Sequence, residues 1–349
     1  MCRKLPGYQD YHEIGAEIKE FKQVLKTLYH PIQKTYDQRV LNGVGGLGGL
    51  YDLSFEEFSK PTLVTNMDSL GSKPKVAAML GEYKSLGYDV VYHCVNDILC
   101  LGAKPLFFMD YFGCSRLEGT IFKQVLEGAI EACQSVDCAF IGGHTAQLSD
   151  IYQDDEIALV GSVTGIVERE QILPRGEIKS GDVMVGLASN GLHASGYALA
   201  RHVLFEVSGL SVRDKVPVLG TSIGEELMRP QRCYWKAVHP LLAQMPEIYS
   251  IAHITQGGFY GSLPRSLPSD MKAVIDARSW TPPPIFKLIQ EIGKLSNEEM
   301  FHTFNMGIGL VLVVDRHCAP ALIQMLAEAG EIAAVIGEVQ KGPHEVQIA

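Results

Sequence analysis

Apolar positions along this chain fall into two successive series of strand-like and helix-like runs. Residues 8–40 read as an amphipathic helical arm with few breakers, which the glycine-dense run Gly43 to Gly49 stops. Apolar stretches of strand length then end at acidic residues: Pro61 to Met67 runs into Asp68, and Lys104 to Met109 into Asp110. Between and after them, Tyr88–Leu101 and Leu117–Cys133 carry helical spacing. Cys138–Ile141 and Ile157–Val167 read as further strands. A connector rich in Pro, Gly and charge, 168–180, separates this series from a second one. That second series comprises a strand from Asp182 to Ala188, a helix from about Ser195 to Glu206, a long middle section with Pro282–Pro284, a strand 307–315, a helix 320–329 and a strand 332–339. The pattern predicts an α/β (α+β) protein with an arm (1–42), a first domain (43–169) and a second α/β domain (170–349).

A length of 349 residues exceeds what one ordinary core holds, which agrees with two domains. No apolar run approaches the ~20 residues of a membrane span, and neither a signal nor a transit peptide is visible at the start, so a cytoplasmic protein is expected. The net charge of −10, without clustered Lys and Arg, argues against nucleic acid as a partner. It also requires that any phosphate ester be bound with a metal ion. The eight cysteines form no C-x-x-C pair and are expected to be reduced and structural.

The glycine run holds a G-x-G-x-x-G at Gly43, Gly45 and Gly48, but the segment after it is short, acidic and ended by Pro61, unlike a dinucleotide fingerprint. No Lys-Ser/Thr pair follows, so it is not a Walker loop. What stays open is a flexible turn, or a backbone cradle for nucleotide phosphates through Gly45, Gly46 and Gly48. On the helix from Tyr88, Asp89, His93, Asn96 and Asp97 recur at spacings of four and three, so they share one narrow polar face that lines solvent, a buried hydrogen-bond network or a site. Together with Asp68 and Asp110, the oxygen donors of this face, without paired thiols, point to Mg2+, and Mg2+ to a nucleotide phosphate. Lys73 follows Asp68 closely enough to contact the same anion, or is simply solvated. The stretch Val183 to Tyr197 goes strand, glycine turn, helix, and presents Asn190, His193 and Ser195 around a helix start suited to an anion; Ser195 as an N-cap is the plainer reading. His253 sits at an apolar-to-glycine junction, where a histidine is either structural or catalytic.

Taken together these segments resemble the aminoimidazole ribonucleotide synthetases, or phosphoribosylformylglycinamidine cyclo-ligases. The likeness rests on Cys94 to Tyr111, Asn190 to Arg201, Ile251 to Thr255 and Thr303 to Gly309, four motifs in family order between Val40 and Val346. The resemblance implies a homodimer whose first-domain sheets pair into a barrel, with the second domain packed beside it. It implies ATP and Mg2+ as cofactors and formylglycinamidine ribonucleotide as substrate, its amide oxygen being phosphorylated before ring closure. Carried over by position, Asp68 and Asp97 would handle metal and phosphate, with Asp110 and Asn96 beside them. His253 would act on substrate or proton, Asn190 and His193 would contact substrate, and Asn305 would floor the cleft.

The chain departs from the family pattern in places. Where Gly-Gly-Glu-Thr-Ala-Glu-Met-Pro is usual it has Gly142-Gly143-His144-Thr145-Ala146-Gln147-Leu148-Ser149, losing two carboxylates, and the arm lacks an Asp-x-x-Ala-Gly-Asn pattern after Gly15. Two other readings therefore stay beside the cyclo-ligase: another ATP-dependent enzyme of the same superfamily, such as a thiamine-monophosphate kinase, and a catalytically silent relative that binds nucleotide.

Overall fold

The computed structural model describes residues 11–154 and 156–349, and of 11–20 the backbone alone. Cys2 lies outside the described residues, as do the arm's first ten positions. In chain order the elements are α1 (Tyr11–Gln33), β1 (Val40–Asn42), β2 (Leu50–Tyr51), β3 (Pro61–Ser69), α2 (Lys73–Leu80), α3 (Lys84–Leu99), β4 (Lys104–Cys114), α4 (Gly119–Ser135), β5 (Ala139–Gln147) and β6 (Ile157–Glu168). The second half continues with β7 (Val183–Ala188), α5 (Tyr197–Arg201), α6 (Ile223–Leu227), α7 (Trp235–Gln244), β8 (Ile248–His253), α8 (Gly258–Ser262), β9 (Met271–Ile275), α9 (Pro284–Gly293), α10 (Asn297–Thr303), β10 (Ile308–Val314), α11 (Ala319–Glu328), β11 (Ala333–Lys341) and β12 (Val346–Ile348).

The first half forms a four-stranded sheet in the order β3-β6-β4-β5, antiparallel except for the β4–β5 pair. Helices α3 and α4 cover one face through a core that includes Val90, Cys94, Phe108 and Phe122. They touch backbone to backbone: a Cβ on Gly87 would lie 2.0 Å from the Val125 carbonyl oxygen, and one on Gly128 2.1 Å from that of Lys84, so both positions demand glycine. The opposite face carries exposed apolar side chains, Leu63, Met67 and Met109.

The second half is a six-stranded sheet, β12-β9-β11-β7-β10-β8. All seven residues of β10 are buried. One row, Leu310, Leu312 and Val314, packs with Val238, Leu241 and Leu322 of α7 and α11. The other, with Val311 and Val313, joins Phe286, Phe304 and the core that runs on into the first half. A strand buried on both faces reads as a continuous apolar run, which is what 308–314 is.

Strand β4 extends four residues past Asp110, because β5 in parallel and β6 antiparallel both pair with it as far as Cys114, opposite Gln147 and Ile157. Asp110 is therefore mid-strand and not at the sheet's rim, contrary to the sequence expectation.

Candidate active site between the halves

Asp68 stands at the end of β3, with Oδ1 accepting from the Ser69 N–H at 2.6 Å and Oδ2 facing His93 Nε2 at 3.1 Å. His93 and Asp97 lie one turn apart on α3, so the helix aims both at the same point. Among the described residues, Asp68, His93 and Asp97 form a group whose candidate metal-binding atoms all lie within 4.8 Å of one another. From the second half, the β8 terminus brings His253, whose Nδ1 lies 2.7 Å from Asp97 Oδ1. Gln231 joins the two rings, with Oε1 3.3 Å from His93 Nδ1 and Nε2 3.1 Å from His253 Nε2.

The environment sets the two imidazoles apart. Burial opposes charge on His93, but the Asp68 hydrogen bond and the Asp97 charge outweigh it and raise its pKa. For His253 burial wins over the Asp97 hydrogen bond and the pKa falls below the ordinary 6.5. Burial also works against the Asp68 carboxylate, yet the His93 hydrogen bond and charge hold its pKa below the ordinary value.

Two cavities meet here, both lined by Asp68 and Thr255. One, of about 320 Å3, adds Asn66, Asp97, His253 and Arg265. The other, of about 460 Å3, runs between the Ser69–Ser72 turn and the second-half loops holding Ser195 and Gln256. A third cavity, about 370 Å3, lies under the glycine run and is lined by Gly45, Gly46, Gly48, Asp110 and His144; it shares no lining residue with the other two.

The residues singled out in the sequence thus separate into three sets. Asp68, Asp97, His253 and Ser195 line the cleft. Asp110 does not join the carboxylate group. It and Asp68 are both in register with Gly161 of the intervening β6, which puts their backbones two strand spacings, about 10 Å, apart. Burial raises the Asp110 pKa to about 7.

Lys73, Asn96, Asn190, His193 and Asn305 are committed to holding the framework. Lys73 is fully buried; its Nζ lies 2.7 Å from Asp89 Oδ2 and donates to the carbonyls of His193 and Arg229 at 3.0 Å each, which uses all three donors. That arrangement suits an ammonium ion, although burial lowers its pKa and raises that of Asp89. Asn96 donates to the Arg232 carbonyl and accepts from the Tyr234 N–H, pinning the same second-half segment to α3. Asn190 Nδ2 donates to the Pro230 carbonyl at 2.9 Å. His193 Nε2 accepts from the Asn190 N–H, and burial, followed by the neighbouring cationic groups, drives its pKa well down. Asn305 bonds Ser189, Gly191 and Gly307.

His93, Gln231 and Arg265 were not singled out as site residues. His93 was visible on the α3 stripe, but Gln231 sits in the irregular Pro230–Tyr234 stretch, where no periodicity marks it. Of the two positions that depart from the family pattern, His144 stacks on Tyr111 with ring centroids 6.0 Å apart, and Gln147 Oε1 accepts from the Leu117 N–H.

This pairing of a four-stranded and a six-stranded sheet around a carboxylate-lined cleft defines a class of two-domain protein. Residues 54–167 match the family model "AIR synthase related protein, N-terminal domain", and residues 179–348 match the corresponding C-terminal domain. The phosphoribosylformylglycinamidine cyclo-ligase of Alkaliphilus oremlandii is 40% identical over 336 residues, covering 96% of this chain and 98% of that one. That of Geobacillus thermodenitrificans is 41% identical over 332 residues, covering 95% and 96%. The chain belongs to the phosphoribosylformylglycinamidine cyclo-ligase family. Among solved structures, thiamine-monophosphate kinase from Stenotrophomonas maltophilia superposes with a TM-score of 0.68 at 17% identity, over 92% of this chain and 95% of that one. Hydrogenase maturation protein HypE in complex with ATP gives 0.64 at 16%, over 94% and 90%. These two share the fold. Among the described residues no helix is long and apolar enough to cross a membrane.

Proposed function

We propose that the chain closes the imidazole ring of aminoimidazole ribonucleotide from formylglycinamidine ribonucleotide, using ATP. The observation that carries the reading is the meeting, in one cleft, of Asp68 and Asp97 from the first half with His253 from the second. The ATP held by the HypE relative of the same fold supports a nucleotide in such a protein. The donor chemistry fits a divalent cation, since two carboxylates converge with hard oxygens; Mg2+ is the ion that the family resemblance names. When bound, that ion neutralises phosphate charge.

The chain's own groups then have distinct work. The amide oxygen of the substrate takes the γ-phosphoryl group, the neighbouring nitrogen attacks the same carbon, and phosphate departs with the original oxygen, leaving ADP. The attacking nitrogen sheds one proton. His253 is suited to accept it: with Nδ1–H donated to Asp97 and a lowered pKa, its Nε2 is unprotonated at neutral pH, and the proton would replace the Gln231 amide N–H that Nε2 accepts in this structure. Arg265, lining the same cavity, offers the positive charge that a phosphate needs among the carboxylates. Gly45, Gly46 and Gly48 line the cavity beside Asp110 without side chains, and although the Gly46 N–H is donated to the Gly43 carbonyl, the run suits a nucleotide's phosphates. The exposed apolar face carrying Leu63 and Met67 suits a second copy, giving the homodimer that the resemblance implies, and the acidic chain suits neither nucleic acid nor membrane as partner. A cytoplasmic setting agrees with these features.

ADP release from ATP, measured with formylglycinamidine ribonucleotide, tests the reading. Substrate-dependent release is the expected result. Release with thiamine monophosphate alone would move the chain to the kinase branch of the superfamily. Nucleotide binding without release from any substrate would make it a silent relative, the reading favoured by the missing carboxylates at His144 and Gln147.

A further inference from the structure

The group that faces the cleft is not made of oxygen alone. His93 is 4% exposed, and its Nε2 sits 3.1 Å from Asp68 Oδ2, the separation of two neighbouring ligands around one small cation. Ligand atoms ~2.0–2.2 Å from a shared ion lie up to about 4.4 Å apart across it. The observed limit of 4.8 Å for Asp68, His93 and Asp97 needs a closure of only a few tenths of an ångström. Asp97 spends one oxygen on the His253 Nδ1–H and keeps the other.

The ring of His93 is held from behind, as metal-binding imidazoles usually are. Gln231 Oε1, 3.3 Å from Nδ1, accepts that N–H, so that a cation replacing the Nε2 hydrogen now shared with Asp68 Oδ2 would meet an Nε2 electron pair directed at the carboxylates. Gln231 itself is fixed at its main-chain N–H, which donates to Asp89 Oδ1 at 2.6 Å. Its amide Nε2, which donates to His253 Nε2, gives the opposite end of the side chain the complementary role. Both ring nitrogens that face Gln231 then have a partner on it, and the other nitrogen of His93 points into the group.

Building on the cation-dependent reading above, we propose that the site binds its divalent ion through three protein donors, Asp68 Oδ2, the second oxygen of Asp97 and His93 Nε2, and that it prefers a first-row transition ion to Mg2+. Two carboxylates alone leave Mg2+ competitive. An imidazole nitrogen adds a donor that Mg2+ uses poorly and that the first-row ions accept readily, with the remaining coordination positions open toward the two cavities.

Mn2+ serves as the probe, bound to the full chain without ATP or substrate. Loss of the free-ion electron paramagnetic resonance signal reads affinity, and three-pulse electron spin echo modulation reads directly coordinated nitrogen. The expected result is 14N modulation in the wild type and in His253→Asn. It disappears in His93→Gln, where Mn2+ affinity also falls at least about tenfold, the lower end of what loss of even an outer-shell partner costs. Mg2+ should displace Mn2+ only when in excess of about tenfold. Bound Mn2+ without nitrogen modulation, displacement by an equal concentration of Mg2+, or no Mn2+ binding at all would each overturn the proposal. If His93→Gln does not fold, the wild-type and His253→Asn echoes decide between them whether His93 supplies the nitrogen. The two readings fail separately. Nitrogen-coupled Mn2+ with no ADP release from any substrate would sink the cyclo-ligase assignment alone, and Mg2+-supported release without nitrogen coupling would sink only this one.

Discussion

Each of the two cavities in the cleft between the halves is comparable in size to the cavity under the glycine run, yet the polar groups of the two regions are held in different ways. In the cleft, Asp68, His93, Gln231, His253 and Asp97 form one hydrogen-bonded row drawn from both halves, backed by the buried Lys73–Asp89 pair. Under the glycine run, Asp110 is a solitary carboxyl, pushed up to about 7 by burial and faced by backbone that bears no side chains. The contrast teaches where this fold spends rigidity. Groups that must keep their mutual geometry are cross-braced, whereas the part suited to wrapping around a ligand is left to glycine.

The contrast can be broken at its strongest brace. Lys73→Met would strand the Asp89 carboxylate without a countercharge and should cost about 3–5 kcal/mol in urea unfolding, most of it recovered by adding Asp89→Leu. A loss under about 1 kcal/mol would mean that the brace is idle. Next comes the chemistry. His253→Asn should slow substrate-dependent ADP release by roughly a hundredfold, equivalent to about 2.7 kcal/mol, with little change in unfolding. Because the pKa of His253 is lowered, the ring protonates only below the ordinary histidine range. Wild-type activity should therefore fall only as pH drops below that range, and the variant should lack that limb.

The glycine-run cavity gives the smaller effects. Asp110 holds its proton to about 7 in the folded chain against 3.8 ordinarily, so the native state binds more protons between those values and loses stability as pH rises through them. Asp110→Asn should match wild type near pH ~4 and be more stable by roughly 2 kcal/mol at about pH 8, a figure discounted for the residue's partial exposure. The smallest change is Gly45→Ala. Its φ of +98° disfavours any side chain, while an added Cβ meets nothing within 4 Å, so calorimetry should register backbone strain alone, about 1 kcal/mol.

How much of this was legible in the sequence differs with the element. The α3 stripe was readable, because four polar residues on an otherwise apolar helix must share a face; its division was not. Asp89 and Asn96 turn to the second-half segment 229–234, and His93 and Asp97 to the cleft. That choice depends on where an irregular segment from far along the chain comes to rest. Asp110 misled for a related reason. Its apolar run stops at an acidic residue, but β5 on one side and β6 on the other both pair with the strand onward to Cys114, and pairing with neighbouring strands leaves no local mark. Asn190 and His193 stand around a helix start in the sequence and Asn305 enters through the family resemblance as the floor of the cleft; the structure shows all three bonded mainly to that loop and to the segment beside it. The long middle section, 207–306, hid β8 and β9, strands of five or six residues among short helices and turns.

Lys73 and Asn96 also determine how the molecule can breathe. Swinging one half away from the other would strip an ammonium of two main-chain acceptors in a dry setting and sever both bonds of a buried amide. Hinge opening is thereby the expensive route, and traffic of solutes into and out of the joint falls to excursions of the segments at its mouth.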